Sequence, residues 1–113
     1  PRSTPVYSSA ASDVYKRQVH YIFSPNIIDT AIDAMEEAAI IWKKHGCLEV
    51  SAWRLSGSAI GQMSFTVAFD NASDFGACFD KVDKDADFQA WRAKFFGFGD
   101  WVANTHATLQ KKW

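Results

Sequence analysis

The stretch Met63–Phe69 constrains the fold more than any other part of the chain. Large apolar side chains occupy every second position, with small or polar ones between them: Met63, Phe65, Val67 and Phe69 against Ser64, Thr66 and Ala68. A period of two is typical of a β-strand, because successive side chains point to opposite faces of the sheet. The segment is therefore predicted to be a strand whose two faces meet different surroundings.

The segments around this strand complete one small domain. Residues 48–53 alternate in the same way, and the turn-forming Ser-Gly-Ser at 56–58 joins the two segments into a predicted β-hairpin. Residues 19–23 are rich in β-branched and aromatic side chains and predict an earlier strand. Residues 101–109 predict a last strand, with a weaker alternation.

Two helices separate these strands. The apolar side chains of residues 24–46 recur at helical spacing, with Ser24 as the predicted N-cap and Gly46 as the stop. Asn71 is the predicted N-cap of a second helix, whose pattern breaks midway and so indicates a bent or two-part helix. With right-handed crossovers, this order predicts an α+β domain of βαββαβ type. It would have a four-stranded antiparallel sheet with both helices on one face.

The first 18 residues differ in composition from the rest of the chain. They are rich in Ser, Ala and Pro, show no sustained period and lack the apolar core of a signal peptide. The string SSAASDVYKRQ resembles translated adapter sequence at the ends of environmental sequencing fragments. Residues 1–18 are therefore predicted to be a disordered or adapter-derived leader in place of the natural N-terminus, and residues 19–113 to form the folded domain.

Charge and composition argue against several partner classes. The 113 residues carry a net charge of −1 and no basic block, so nucleic acid is not a predicted partner. The longest apolar run, residues 38–42, is far shorter than a membrane span, and no membrane association is predicted. Cys47 and Cys78 lack the spacing of a metal or redox motif. This favours two reduced, buried thiols over a disulfide, and hence a cytoplasmic protein.

Residues 19–113 also resemble a known superfamily. The resemblance is carried by HYIFSPN and the long helix ending in KKHG, by SAWRLSGSAIGQMSFTVAFDN, and by the acidic helix that runs into DFQAW. These stretches resemble a bacterial branch of the dimeric α/β-barrel superfamily, whose ferredoxin-like subunits pair sheet to sheet. The resemblance implies a homodimer. It leaves the chemistry open, since relatives include cofactor-independent monooxygenases, haem-degrading enzymes, isomerases, cyclases and proteins with no known activity.

Strand parity predicts where a ligand would bind. The large apolar positions of the hairpin are assigned to the face under the helices, so their neighbours point to the face that would line the barrel. That face carries the mixture of polar and aromatic side chains found in ligand pockets. The predicted substrate-binding residues are Ile22, Ser51, Trp53, Ser64, Thr66 and Asn104. His20, Glu49 and His106 are the predicted catalytic residues, because imidazole and enclosed carboxylate groups can transfer protons near neutral pH.

Each of these residues also has a structural interpretation. His20 and His106 would then be hydrogen-bonded or exposed residues of their strands. Glu49 would pair with Arg54 or reach solvent. Trp53 would pack across a dimer interface, where tryptophan is enriched.

Two functions therefore remain open. The first is an enzyme of monooxygenase, isomerase or cyclase type that acts on a small planar metabolite inside the barrel. The second is a non-catalytic structural or ligand-binding homodimer. No cofactor and no metal site are predicted. Residues 83–87 imitate the start of a calcium loop, but Phe88 and Lys94 stand where glycine and glutamate are needed.

Overall fold

The computed structural model describes residues 16–113. Its elements, in chain order, are β1 (Arg17–Pro25), α1 (Ile28–Lys44), β2 (Glu49–Arg54), β3 (Met63–Phe69), α2 (Ala72–Lys84), α3 (Ala86–Lys94) and β4 (Gly99–Thr108). The predicted order is confirmed, and the helix expected to be bent or two-part consists of α2 and α3. The predicted leader, residues 1–18, lies outside the described residues except for its last three, and β1 begins within it at Arg17.

The four strands form one antiparallel sheet in the order β2-β3-β1-β4. The helices pack on one face of this sheet. Trp42 of α1 lies with its ring centroid 6.5 Å from those of Phe65 and Phe69 of β3, and Phe75 of α2 packs edge-on against Phe69 at 5.5 Å. The α+β fold class is thereby confirmed. The other face of the sheet carries no helix of the described residues, and it is called the open face below.

The first helix begins later than predicted. Ser24 and Pro25 continue β1, where they pair with Asp100 and Gly99 of β4. The helix starts at Ile28, and the residue at its N-cap position, Ile27, makes no side-chain capping hydrogen bond. The predicted cap at Ser24 is therefore wrong, because pairing with β4 holds that residue in the sheet.

Asp85 joins the helix layer together. It ends α2 and begins α3, and its carboxylate accepts a hydrogen bond from the backbone N–H of Asp87 at 2.7 Å. The same carboxylate lies 2.6 Å from Lys44 Nζ and 2.6 Å from His45 Nε2 at the end of α1. The Lys44 ammonium, followed by the His45 contact, holds the pKa of Asp85 well below its usual range. One carboxylate thus links the ends of three helices.

Strand parity in the hairpin agrees with the prediction. Phe65 and Val67 lie under the helices, and Ser64 and Thr66 lie on the open face. All seven residues of β3 are buried, including those that point to the open face. The face assignment of β2 and β3, on which the predicted barrel site depends, is therefore confirmed.

Parity fails in β4. Asn104 pairs with Tyr21 and His106 pairs with Val19, two residues of β1 on the helix-covered face. The prediction that Asn104 and His106 share the open face with His20 is wrong. The register shifts by one residue between Ile22 and Phe23, because their partners are Ala103 and Trp101. The residue between those partners, Val102, forms a β-bulge. The bulge reverses the face of the sheet to which each later side chain of β4 points.

Candidate functional site

A cavity of about 480 Å³ lies between the helices and the β1–β4 side of the sheet. All three helices contribute to its wall, together with β1, β3 and β4. Its lining is dominated by aromatic rings, among them Tyr21, Trp42, Phe65, Trp91, Phe98 and Trp101. A cavity of this size and apolar lining falls within the range of small-molecule sites, roughly 300–1,000 Å³.

Contacts between the rings hold the cavity wall in place. Trp91 of α3 donates its indole N–H to the carbonyl oxygen of Ala34 at 2.7 Å, and it stacks on Phe88 at a centroid distance of 5.3 Å. Phe98 packs edge-on against Phe23 at 5.1 Å. Ala38 of α1 also lines the cavity, and its small side chain leaves the space open. The rings are therefore fixed by one another and do not collapse into that space.

Tyr21 is one of the few polar groups in the cavity wall. Burial, and secondarily the nearby Cys78 thiol, raises the pKa of Tyr21 to about 12. The side chain is therefore a neutral phenol at physiological pH and can donate a hydrogen bond.

Asn104 is the second polar group, and it belongs to a chain of hydrogen bonds. Asn104 Nδ2 donates to the carbonyl oxygen of His20 at 3.2 Å, and Asn104 Oδ1 lies 3.2 Å from His106 Nε2. The other ring nitrogen, His106 Nδ1, lies 3.1 Å from Nη2 of Arg17. The His106 ring also meets the ring of Phe75 edge-on at 5.4 Å, as expected for a residue on the helix-covered face.

The open face carries a compact polar cluster of His20, Ser64 and Thr66. His20 Nδ1 lies 3.0 Å from Thr66 Oγ1 and 3.4 Å from Ser64 Oγ, and the two hydroxyl oxygens are 2.9 Å apart. Ser64 is 1% exposed and Thr66 is 3% exposed. Burial lowers the pKa of His20 below its usual value, so its imidazole is neutral at neutral pH.

The remaining predicted residues lie on the same face without joining that cluster. Trp53 donates its indole N–H to Ser51 Oγ at 2.9 Å, and its side chain is 55% exposed. Glu49 is exposed, and its strand position puts it on the face opposite Arg54. Ile22 pairs with Ser64 across the two central strands.

Of the predicted site, the structure therefore brings together His20, Ser64 and Thr66. It places Asn104 and His106 on the far side of the sheet. The sequence reasoning missed the aromatic cavity, since its residues were assigned to the core. A signal was present in the density of rings in DFQAW and in the segment FGFGDW, which exceeds what a short helix and its turn need for packing.

The described part of the chain shows neither a metal cluster nor a reactive thiol pair. Across residues 16–113, no group of three or more His, Cys, Asp or Glu side chains is arranged to hold a metal ion. Cys47 and Cys78 are both free and buried, and burial raises the pKa of the Cys78 thiol to about 11. None of the helices in this part of the chain is long and apolar enough to cross a membrane.

The fold matches solved structures closely, at low sequence identity. A NIPSNAP family protein of unknown function from Agrobacterium tumefaciens aligns with a TM-score of 0.70 and 14% identity, over 84% of this chain and 88% of the other. A dimeric ferredoxin-like protein from an uncultured marine organism aligns at 0.63 and 10%, over 90% and 94%. SnoaB, a cofactor-independent oxygenase from Streptomyces nogalater, aligns at 0.64 and 7%, over 88% and 97%.

These likenesses establish the ferredoxin-like fold. No protein-family model and no curated protein matches the sequence. Since the identities are this low, the resemblance speaks to the fold alone, and function has to be argued from the residues of this chain.

Proposed function

We propose that this protein binds a planar, mainly apolar small molecule in the cavity between its helices and its sheet. The observation that carries the proposal is the 480 Å³ space walled by aromatic rings and left unfilled by the chain's own side chains. An empty apolar space lowers stability, because its lining loses van der Waals contacts. A ligand of matching shape restores those contacts.

The geometry of the wall favours a flat ligand. Rings of Trp42, Phe65, Trp91 and Trp101 surround the space from two helices and two strands. Aromatic rings contact one another most favourably in offset-stacked or edge-to-face arrangements, and a planar polycyclic molecule offers both a face and an edge. The likeness to SnoaB, a cofactor-independent oxygenase, supports a small-molecule role for this fold without specifying the ligand.

We also propose that two copies pair through their open faces. One structural neighbour is described as a dimeric ferredoxin-like protein. On this chain the open face carries Trp53 at 55% exposure, beside a buried polar cluster with no cover from the helices. A second copy would enclose that cluster.

Catalysis is a second candidate function, and His20 is the residue that favours it. A neutral imidazole held by two hydroxyl groups is a suitable proton acceptor. Pairing of two open faces would place it in an enclosed chamber, where Glu49, Ser51, Trp53 and Ile22 would also contribute. His106, on the other face, would act only on a ligand held in the aromatic cavity. No cofactor is proposed for either function.

The ligand proposal is tested by filling the cavity. Ala38→Phe places a phenyl ring in the space, and Ile40→Phe adds a ring on the same helix at a position that is 67% exposed. With fluorene as the probe, we expect binding to the wild type and to Ile40→Phe. We expect at least a roughly tenfold weaker dissociation constant for Ala38→Phe, because the phenyl ring occupies the ligand's volume. Equilibrium dialysis measures all three constants.

Two results would overturn the proposal. One is equal binding of fluorene to the wild type and to Ala38→Phe. The other is no detectable binding to the wild type at the solubility limit of the probe. Circular dichroism and thermal unfolding verify that both variants are folded before their constants are compared.

A further inference from the structure

We propose that His106 is a positioning residue that fixes the side-chain amide of Asn104, so that the cavity selects ligands with a carbonyl-type acceptor oxygen. The inference rests on the proposed ligand cavity and adds to it the polarity of the atom that is recognised. It follows from the directions of three hydrogen bonds.

The first direction is set by Arg17. A guanidinium group only donates hydrogen bonds, so the contact of 3.1 Å from Arg17 Nη2 requires His106 Nδ1 to accept. In a neutral imidazole one nitrogen accepts and the other carries the hydrogen. The hydrogen of His106 therefore lies on Nε2. Arg17 is itself anchored, because its Nη1 donates to Thr108 Oγ1 at 3.0 Å.

The second and third hydrogen bonds both involve the side-chain amide of Asn104. The N–H of His106 Nε2 donates to Asn104 Oδ1 at 3.2 Å, which assigns the oxygen of the amide to the His106 side. Independently, the carbonyl oxygen of His20 only accepts, so the atom 3.2 Å from it has to be the amide nitrogen. Both constraints give the same orientation of the Asn104 amide. One hydrogen on its Nδ2 remains without a partner within the described residues.

The cavity wall has a second donor on the neighbouring strand. Asn104 and Tyr21 are direct partners across the β1–β4 ladder, and both line the cavity. The Tyr21 hydroxyl and the Asn104 amide are therefore two donors on the same wall of the cavity.

The ligand chemistry follows from this pairing of donors. A flat molecule with a carbonyl or quinone oxygen at its edge accepts from one or both groups while its rings contact the aromatic wall. A molecule of the same shape without that oxygen leaves both donors unmatched. Polar groups left unpaired in a ligand site are the strongest source of discrimination against an analogue.

The test compares two probes of one shape. Fluorenone has a carbonyl oxygen and fluorene has none, so the ratio of their dissociation constants reports the hydrogen bond while apolar contact largely cancels. We expect the wild type to prefer fluorenone by roughly tenfold, as one net hydrogen bond gives. Asn104→Leu and His106→Ala should both bring the ratio close to one. His106→Gln should retain the preference, since its amide offers an acceptor to Arg17 and a donor to Asn104.

A spectroscopic readout separates positioning from general damage to the fold. The carbonyl stretch of bound fluorenone should move to lower frequency in the wild type and in His106→Gln, and lose that shift in His106→Ala. Arg17→Met serves as a second variant. It removes the hydrogen bond that fixes the tautomer of His106 and leaves Asn104 unchanged, so it should also reduce the preference for fluorenone over fluorene.

The outcomes distinguish the two proposals. If fluorene and fluorenone bind equally well to the wild type, the inference is wrong and the ligand cavity stands. An unchanged ratio in His106→Ala equally overturns the positioning role. If neither probe binds, the proposed function fails, and the inference fails with it.

Discussion

The two faces of the sheet differ in how their side chains use space. The helix-covered face carries large rings that leave about 480 Å³ unfilled. The open face carries the small polar cluster of His20, Ser64 and Thr66, whose hydrogen-bonding groups are bonded to one another. Polarity alone would place a ligand site on the open face, as the sequence reasoning did. The comparison shows that polar residue content and unfilled volume point to opposite faces of the same sheet.

The largest expected difference between the faces is in stability, and two tryptophans measure it. Trp42 under the helices is 4% exposed and contacts Tyr21, Phe65 and Phe75, whereas Trp53 on the open face is 55% exposed. We expect Trp42→Ala to lower the free energy of unfolding by about 3–5 kcal/mol. Trp53→Ala should lower it by less than about 1 kcal/mol in a dilute sample, since an exposed side chain loses little on truncation.

Urea unfolding at several protein concentrations checks both values and sharpens the contrast. If two copies pair through their open faces as proposed, the effect of Trp53→Ala should grow with protein concentration, and sedimentation should show weaker self-association of this variant. The effect of Trp42→Ala should not depend on concentration in this way. Similar losses for the two variants in a dilute sample would contradict the distinction between the faces.

A smaller effect is expected from two threonines that flank His20. Thr66 and Thr105 are its direct partners on the two neighbouring strands, but only Thr66 is buried and bonded to the imidazole. Thr66→Val keeps the shape and removes the contacts of Thr66 Oγ1 with His20 and Ser64, so that only the 3.4 Å contact between His20 and Ser64 remains. It should cost about 1–2 kcal/mol of unfolding free energy. Thr105→Val should stay within about 0.5 kcal/mol. Equal costs in thermal or urea unfolding would show that the polar cluster does not stabilise the open face.

The smallest effect concerns pH. Burial lowers the pKa of His20 in the folded chain, so the unfolded chain binds its proton more readily below its ordinary value of about 6.5. The contribution of the neutral imidazole is present above that value and is lost as the pH falls. Compared with His20→Gln, the wild type should therefore lose stability as the pH falls through about 6.5 and below. Parallel stability profiles for the two proteins would contradict the burial of His20.

Much of the fold could be predicted because its signals are local. The structure has the same alternation in β3 that the sequence predicts, so the faces of Phe65 and Thr66 were correctly assigned. Asn71 caps α2 as predicted, accepting from the backbone N–H of Asp74 at 2.8 Å. The start of α1 was missed because pairing between β1 and β4, a long-range contact, overrides the capping signal at Ser24.

The candidate site could be predicted only in part, for a different reason. Whether rings fill or surround a space depends on how three helices sit over the sheet, and no periodicity in the sequence encodes that volume. His20, Ser64 and Thr66 were placed together correctly because all three follow from parity in two regular strands. Asn104 and His106 were misplaced because β4 is not regular.

Val102, the unpaired residue between Trp101 and Ala103, determines which side chains of β4 line the cavity. Because of this extra residue, Trp101 and Asn104 share a face although they are three positions apart. Loss of Val102 by a single-codon deletion would restore simple alternation, and one of the two would then leave the cavity. A change in length at this point would alter the lining of the cavity with no substitution at all.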